Sequence, residues 1–331
     1  MRAFVAGWGT ALPERVLTNH ELGQLVDTDD TWIVERTGIH ERRIATGDET
    51  TASLGTAAGA EAIKRAGLTP EAIDVLVVAT TTPEQTMPHT GAFIADGLGL
   101  RCGSFDLGAS CSGFTYALVT AAALLTSGHL RTALVIGSDT LTQFVDPTDR
   151  GTCILFGDAA AATVLGTTDA TGAEVPGLLA WDFGCDGSAT GVLGIPAGGS
   201  RIPATAETLA AGEHYVKMQG QEVFRRAVRA VVDSGMLTLE RAGVASSEVT
   251  WFVPHQANVR IVDAAAQRLG IPRERTIVNL DRYGNTSAAS IPLALAEAAD
   301  DGRIDDGDLL LLSGFGAGMA WATALVRWGR P

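Results

Sequence analysis

Cysteine is scarce in this sequence, and none of it is paired. Only four cysteines stand in 331 residues: Cys102, Cys111, Cys153 and Cys185. None forms a Cys-x-x-Cys pair or has a histidine at ligand spacing, which argues against a structural zinc site. In a reducing compartment they are expected to be free thiols. Excess positive charge is also missing. Against 38 acidic residues there are 24 Lys and Arg, a formal net charge of −14 with a pI near 4.8. Such a balance argues against nucleic acid as a partner, and any acidic partner must meet a local basic patch. No apolar run approaches the roughly 20 residues of a membrane span, and no secretory leader pattern is evident. A soluble, cytoplasmic chain with no membrane partner is expected. A dinucleotide fingerprint is absent too. The stretch from Gly7 to Pro13 meets a proline before any helix, and the one from Gly314 to Ala320 has no acidic residue 20 positions on. Nicotinamide or flavin chemistry is therefore not expected.

What is present is 46% apolar residues and 39 glycines, with Ala-rich helical stretches alternating with Val/Leu-rich strands. This is the composition of a layered α/β protein, and the length suggests two domains or two fused halves. The halves echo each other. AGLTPEAIDVLVVATTTP begins at Ala66 and AGVASSEVTWFVPHQANV at Ala242, an offset of 242 − 66 = 176. TALVIGSD begins at Thr132 and DLLLLSGF at Asp308, again 308 − 132 = 176. MRAFVAGWG from Met1 matches GLLAWDFGC from Gly177 at the same spacing. The repeat marks a duplicated unit, divided into residues 1–170 and 171–331. Its buried strands, separated by helices, predict mostly parallel sheets. Stacked about two central helices, they predict a five-layered α-β-α-β-α block. Residues 184–212, rich in Gly, Ser, Thr and Pro, read as a long surface excursion.

Cys111 sits where a short apolar strand meets small residues and then the apolar run Phe114–Leu125, which reads as a strand, a tight turn and a buried helix. At a helix N-terminus the unpaired N–H groups and the dipole favour a thiolate, so a pKa lowered toward neutrality is expected. The alternative for Cys111 is inert packing. His255 follows the strand VTWFV. Asn285 precedes the helical run that mirrors the one after Cys111, at nearly the equivalent position (285 − 111 = 174). Together they make a nucleophile, a histidine and an amide converging on one cleft.

These motifs carry a whole-chain resemblance. DTDDTWIVERTGIHER, GASCSGF, DPTDRGTCILFGDAAAA, VPHQANVRI, RYGNTSAAS and GFGAGMAWA together resemble the β-ketoacyl-acyl carrier protein synthase III family of the thiolase fold. Elongating ketosynthases use Cys-His-His and thiolases Cys-His-Cys. Plant-type polyketide synthases share Cys-His-Asn but lack the DTDDTWIVERTGI opening.

The resemblance implies a homodimer that condenses an acyl-CoA primer with malonyl-acyl carrier protein, with no metal or bound cofactor. Cys111, His255 and Asn285 would be catalytic. The backbone of Cys111 and Ala317, with Gly316 alongside, would form an oxyanion hole, although Ala317 stands where a glycine is common. Trp32, Arg36, Arg150 and Phe224 would hold coenzyme A. Arg225, Gln256 and Arg260 would dock the carrier protein, and Met87 and Phe315 would line the acyl pocket, Met87 from across the dimer. A relative that passes the acyl group to a hydroxyl or amine, or that serves secondary metabolism, is the alternative.

Overall fold

The computed structural model describes residues 1–331. Five strands build the first sheet: β1 (Arg2–Ala11), β2 (Val75–Ala79), β3 (Gly103–Leu107), β4 (Ala133–Asp139) and β5 (Ala159–Thr168), in spatial order β1-β5-β4-β2-β3. Four build the second: β6 (Gly177–Cys185), β7 (Trp251–Pro254), β8 (Leu309–Gly316) and β9 (Ala320–Arg327), in order β7-β8-β9-β6. Laid on each other by the 176-residue repeat, β6 takes the place of β1, β7 of β2 and β8 of β4. β9 occupies the position of β5. The fifth place in the second sheet has shrunk to one parallel bridge between Phe252 and Thr276.

The sheets are mixed rather than mostly parallel. β2 pairs in parallel with β3 and β4, and β7 with β8. The other four pairings are antiparallel. Strands β2, β4 and β8 are buried along their whole length, so their unbroken apolar sequence reports burial on two faces and says nothing of direction. The turn of three residues between β8 and β9 forces an antiparallel hairpin.

Between the sheets lie two helices, α4 (Gly113–Thr126) and α7 (Ser290–Asp300). Both are apolar nearly all round, as a helix covered by sheets on two sides must be. Phe114, Leu118 and Leu125 of α4 and Ile291 and Leu295 of α7 join Val77, Val135, Leu310 and Leu312 in one core of 28 buried residues. The halves thus share their central core. Outside the first sheet pack α2 (Thr51–Ala66) and α3 (Thr90–Leu98); outside the second pack α5 (Gly220–Ala242) and α6 (Val259–Leu269). This is the five-layered block. No helix is long and apolar enough to cross a membrane.

Each central helix is entered through a short 3-10 turn, Ser110–Ser112 before α4 and Ser287–Ala289 before α7. Ser110 and Ser287 both carry left-handed backbone, φ 48° and 50°, a conformation that costs a non-glycine residue about 1–3 kcal/mol. Their separation is 287 − 110 = 177, which sets the local register of the repeat. Cys111 corresponds to Ala288, and Asn285 to Gly108. The near-equivalence of Asn285 and Cys111 read from the sequence is three residues out.

The excursion at residues 184–212 is only partly superficial. Leu193–Gly194 pair with Lys217–Met218, and Leu193, Gly194 and Ile195 wall a cavity beside Cys111.

Candidate active site

Cys111 is delivered by the turn after β3, and Gly316 at the end of β8 lies against its backbone. A Cβ on Gly316 would stand 2.6 Å from the Cys111 nitrogen and 2.8 Å from the Ser110 Cβ. The second glycine of GFGAG is therefore a requirement of close packing. His255 directly follows β7, its N–H donating to the Ser313 carbonyl at 2.8 Å. Asn285 is fixed by its backbone, which donates to Leu155 O (2.8 Å) and accepts from Gly157 N (3.0 Å).

The three side chains meet in one cavity of about 500 Å³. They lie at its buried end, with 8%, 2% and 6% of their surfaces exposed for Cys111, His255 and Asn285. Trp32, Arg36, Arg150, Phe224, Arg260, Phe315 and Gly316 line the same space. Helix α1 (Asp30–Thr37) begins on the cap Asp29, whose carboxylate accepts from Trp32 N at 2.7 Å, and ends on Gly38 in left-handed backbone. Trp32 and Arg36 are therefore one turn apart on one face. The Arg36 and Arg150 guanidiniums stand 4.3 and 4.7 Å from the Trp32 ring centroid, a cation–π arrangement. Asn258 caps α6, accepting from Arg260 N and donating to the Arg36 carbonyl, which ties two walls of the mouth together. Arg260 itself is exposed.

Cys111 opens onto a second cavity of about 300 Å³, lined with Ala317, Leu141, Phe156, Ile195 and Val216 among others. Sequence reasoning had found none of these residues but Ala317. They come from four separate segments, and only a buried apolar character marks them.

Three expectations need correction. Gln256 is fully buried. Its amide donates to Pro254 O and Ile277 O, and its oxygen accepts from Asn279 N, so it braces the floor and offers nothing to a docking protein. Phe315 lies in the larger cavity, edge-on to His255 with ring centroids 5.2 Å apart, and does not line the apolar one. The Cys111 thiol is not lowered toward neutrality: burial, with the nearby Asp139 charge adding to it, pushes it up to about 12. Two further residues stand apart from both cavities. Arg225 is exposed but lines a different groove, held by Glu222 at 2.7 and 3.0 Å. Met87 is 82% exposed and lines neither cavity of the chain.

His255 is uncharged here. Burial alone takes its pKa down to about 3, and its Nδ1 shares a hydrogen with Ser290 Oγ at 2.6 Å. Asn285 Oδ1 accepts from Ser287 N at 2.9 Å, which leaves its Nδ2 as the group turned to the cavity. Two neutral donors and a thiol in an apolar setting can stabilise negative charge that develops on a substrate oxygen. No cluster of three or more His, Cys, Asp or Glu side chains suited to a metal ion is present.

The His255 shift has a consequence for stability. An unfolded chain takes up the imidazole proton near pH 6.5 and the native site only near pH 3. Stability contributed by the neutral ring is complete above pH 6.5 and is lost as pH falls through that window, about 5 kcal/mol in all. Asp158 acts in the opposite sense: burial raises it to about 6, so stability is regained as pH falls from about 6 toward 4. In urea titrations from pH 7 to 4, His255→Gln is expected to lose less stability than the parent. Parallel pH dependences would contradict the assignment.

The layered architecture, the paired turns and the nucleophile facing a neutral histidine and an amide define a condensing enzyme of the thiolase fold. Comparison with known proteins gives the family. The 3-oxoacyl-[acyl-carrier-protein (ACP)] synthase III family matches residues 105–187, and the C-terminal family of the same synthase matches residues 239–328. The β-ketoacyl-[acyl-carrier-protein] synthase III of Symbiobacterium thermophilum is 49% identical over 327 residues, and that of Roseiflexus sp. RS-1 is 47% identical over 327, each match covering 98% of both chains. The crystal structure of 3-oxoacyl-(acyl carrier protein) synthase III from Pseudomonas aeruginosa PAO1 superposes with a TM-score of 0.91 at 41% identity, covering 100% of this chain and 99% of that one. The chain belongs to the β-ketoacyl-acyl carrier protein synthase III family, condensing acyltransferases that initiate fatty acid biosynthesis.

Proposed function

We propose that this chain condenses an acyl-CoA primer with malonyl-acyl carrier protein through an acyl thioester on Cys111. The observation that carries this is the single cavity running from the stacked Trp32, Arg36 and Arg150 at its exposed end to Cys111, His255 and Asn285 at its buried end. An adenine can insert against the indole and a guanidinium, and the free cations Arg36 and Arg260 suit phosphates at the mouth. Phe224 flanks the path that pantetheine would follow.

In the first step the Cys111 sulfur bonds to the acyl carbon and the bond from that carbon to the CoA sulfur breaks. The thiol proton leaves with CoA. Charge on the carbonyl oxygen is received by the Cys111 and Ala317 backbone N–H groups, a hole of the kind in which one donor is worth ~10²–10³ in rate. In the second step the malonyl carbon–carboxylate bond breaks, carbon dioxide leaves, and the electron pair forms an enolate. His255 and Asn285 donate to its oxygen. The enolate carbon then bonds to the acyl carbon, and the bond to Cys111 breaks.

The apolar cavity next to Cys111, about 300 Å³, is some ten times the ~30 Å³ share of a water molecule, so primers longer than acetyl are accommodated. In the homodimer the exposed Met87 of one chain would extend the partner's acyl pocket. With the carrier protein Arg260 would form the contact at the mouth and Arg225 a more distant one. The reaction would take place in the cytoplasm.

Intact-protein mass spectrometry tests the proposal. The protein is mixed with a panel of acyl-CoAs and then with malonyl-acyl carrier protein. An acyl adduct on Cys111 that vanishes as a β-ketoacyl carrier product forms is expected. An adduct that persists with malonyl-acyl carrier protein and discharges only to an alcohol or amine would overturn the condensation in favour of acyl transfer.

A further inference from the structure

Beneath the nucleophile lies a polar construction that the steps above do not use. The Ser287 hydroxyl donates to the Cys111 sulfur at 3.4 Å, well within O–H···S range, and Ser287 lines the apolar cavity with it. Ser287 is itself completely buried and held with φ at 50°. The turn that strains it is clamped on both sides. Its own N–H donates to Asn285 Oδ1, and the next N–H, of Ala288, donates to Oδ2 of Asp139 at 3.0 Å. Asp139 is a fully buried carboxylate at the end of β4. Its Oδ1 accepts from the Thr80 hydroxyl, the Thr81 N–H, and both the N–H and hydroxyl of Thr82, at 2.6 to 3.1 Å. A strained serine with a tethered backbone on either side, aimed at a nucleophilic sulfur, is a conformation that the surroundings over-determine.

We propose that Ser287 is a further catalytic residue: its hydroxyl stabilises the Cys111 thiolate that attacks the primer and that is released again by condensation, and Asp139 is the positioning residue that holds its turn. This rests on Cys111 being the nucleophile. The sulfur needs such a donor because no cation stands beside it. Asp139 is an acceptor of like charge, His255 is neutral, and Arg36, Arg150 and Arg260 lie toward the far end of the larger cavity. The hydroxyl transfers no proton in this role.

The rate of Cys111 alkylation by iodoacetamide, followed against pH by peptide mass mapping, reads thiolate formation directly. Ser287→Ala removes the donor. Ser287→Gly removes it while accepting the left-handed backbone without strain, so it keeps the test available if the alanine variant folds poorly. In both, the alkylation rate at any fixed pH below the midpoint is expected to fall about tenfold or more, the size of a hydrogen bond to a charged group. Acyl-enzyme formation at pH 7 should slow about tenfold or more. An unchanged alkylation rate in a folded variant would overturn the role of Ser287. If the parent protein shows no alkylation and no acyl adduct at Cys111, the nucleophile assignment itself fails, so the two failures are told apart.

Discussion

Cys111→Ala is expected to form no acyl adduct with any acyl-CoA, and its turnover to fall by on the order of 10⁶, the scale of loss when a covalent nucleophile is removed. The substitution is nearly neutral for the fold. Alanine already stands at the corresponding place in the second half, Ala288, in the same kind of 3-10 turn. The same variant should still release carbon dioxide slowly from malonyl-acyl carrier protein, because the His255 and Asn285 side chains are positioned by Ser290, Ser313, Ser287 and the Leu155–Gly157 segment and not by the cysteine. Quench-flow with radiolabelled acyl-CoA measures the first loss and labelled carbon dioxide the second. An adduct that forms at the parent rate in Cys111→Ala would move the nucleophile elsewhere.

Most of the architecture was legible because the duplication is written in buried strands. A strand covered on both faces admits little but Val, Leu, Ile and Ala, so VLVVA and LLLL keep their character and spacing through divergence. Strand direction was not legible for the same reason: residues buried on both faces look alike in parallel and antiparallel pairs. Nor was the loss of the fifth strand in the second sheet, where only Phe252 and Thr276 still pair.

The site divides similarly. Cys111, His255 and Asn285 were found because each ends a strand or opens a helix, where sequence pattern is strong. The register between Asn285 and Cys111 was missed because it is set by the left-handed backbone of Ser110 and Ser287, and serine gives no sign of that as glycine would. The state of the thiol was missed for a different reason. The sequence shows a helix start, which favours the thiolate, but not the burial and the neighbouring Asp139 that oppose it, and these lie far off in the chain. Gln256 was misplaced by its neighbour. Adjacent to His255, it turns inward to Pro254, Ile277 and Asn279, and hydrogen bonds to the segment beyond the following helix cannot be read from PHQAN.

Asn285→Ala separates the two half-reactions. Its amide is, with His255, a neutral side-chain donor at the buried end of the cavity, since Ser287 N occupies Oδ1 and fixes the orientation of Nδ2. Removing it leaves Cys111, its turn and the acyl cavity in place. Acyl-enzyme formation should stay within about tenfold of the parent, while condensation falls ~10²–10³, the range for loss of one such donor. Asn285→Asp should be worse than alanine: a carboxylate at that point would accept rather than donate and would repel the enolate. Because Asn285 Oδ1 also holds the Ser287 turn, the small loss in the first step should appear mainly as the same slowing of Cys111 alkylation expected when Ser287 is changed, and not as weaker primer binding. Single-turnover acylation and condensation, each measured across pH, resolve these contributions. Equal losses in both half-reactions would place Asn285 in the support of the nucleophile and leave His255 as the sole donor to the enolate.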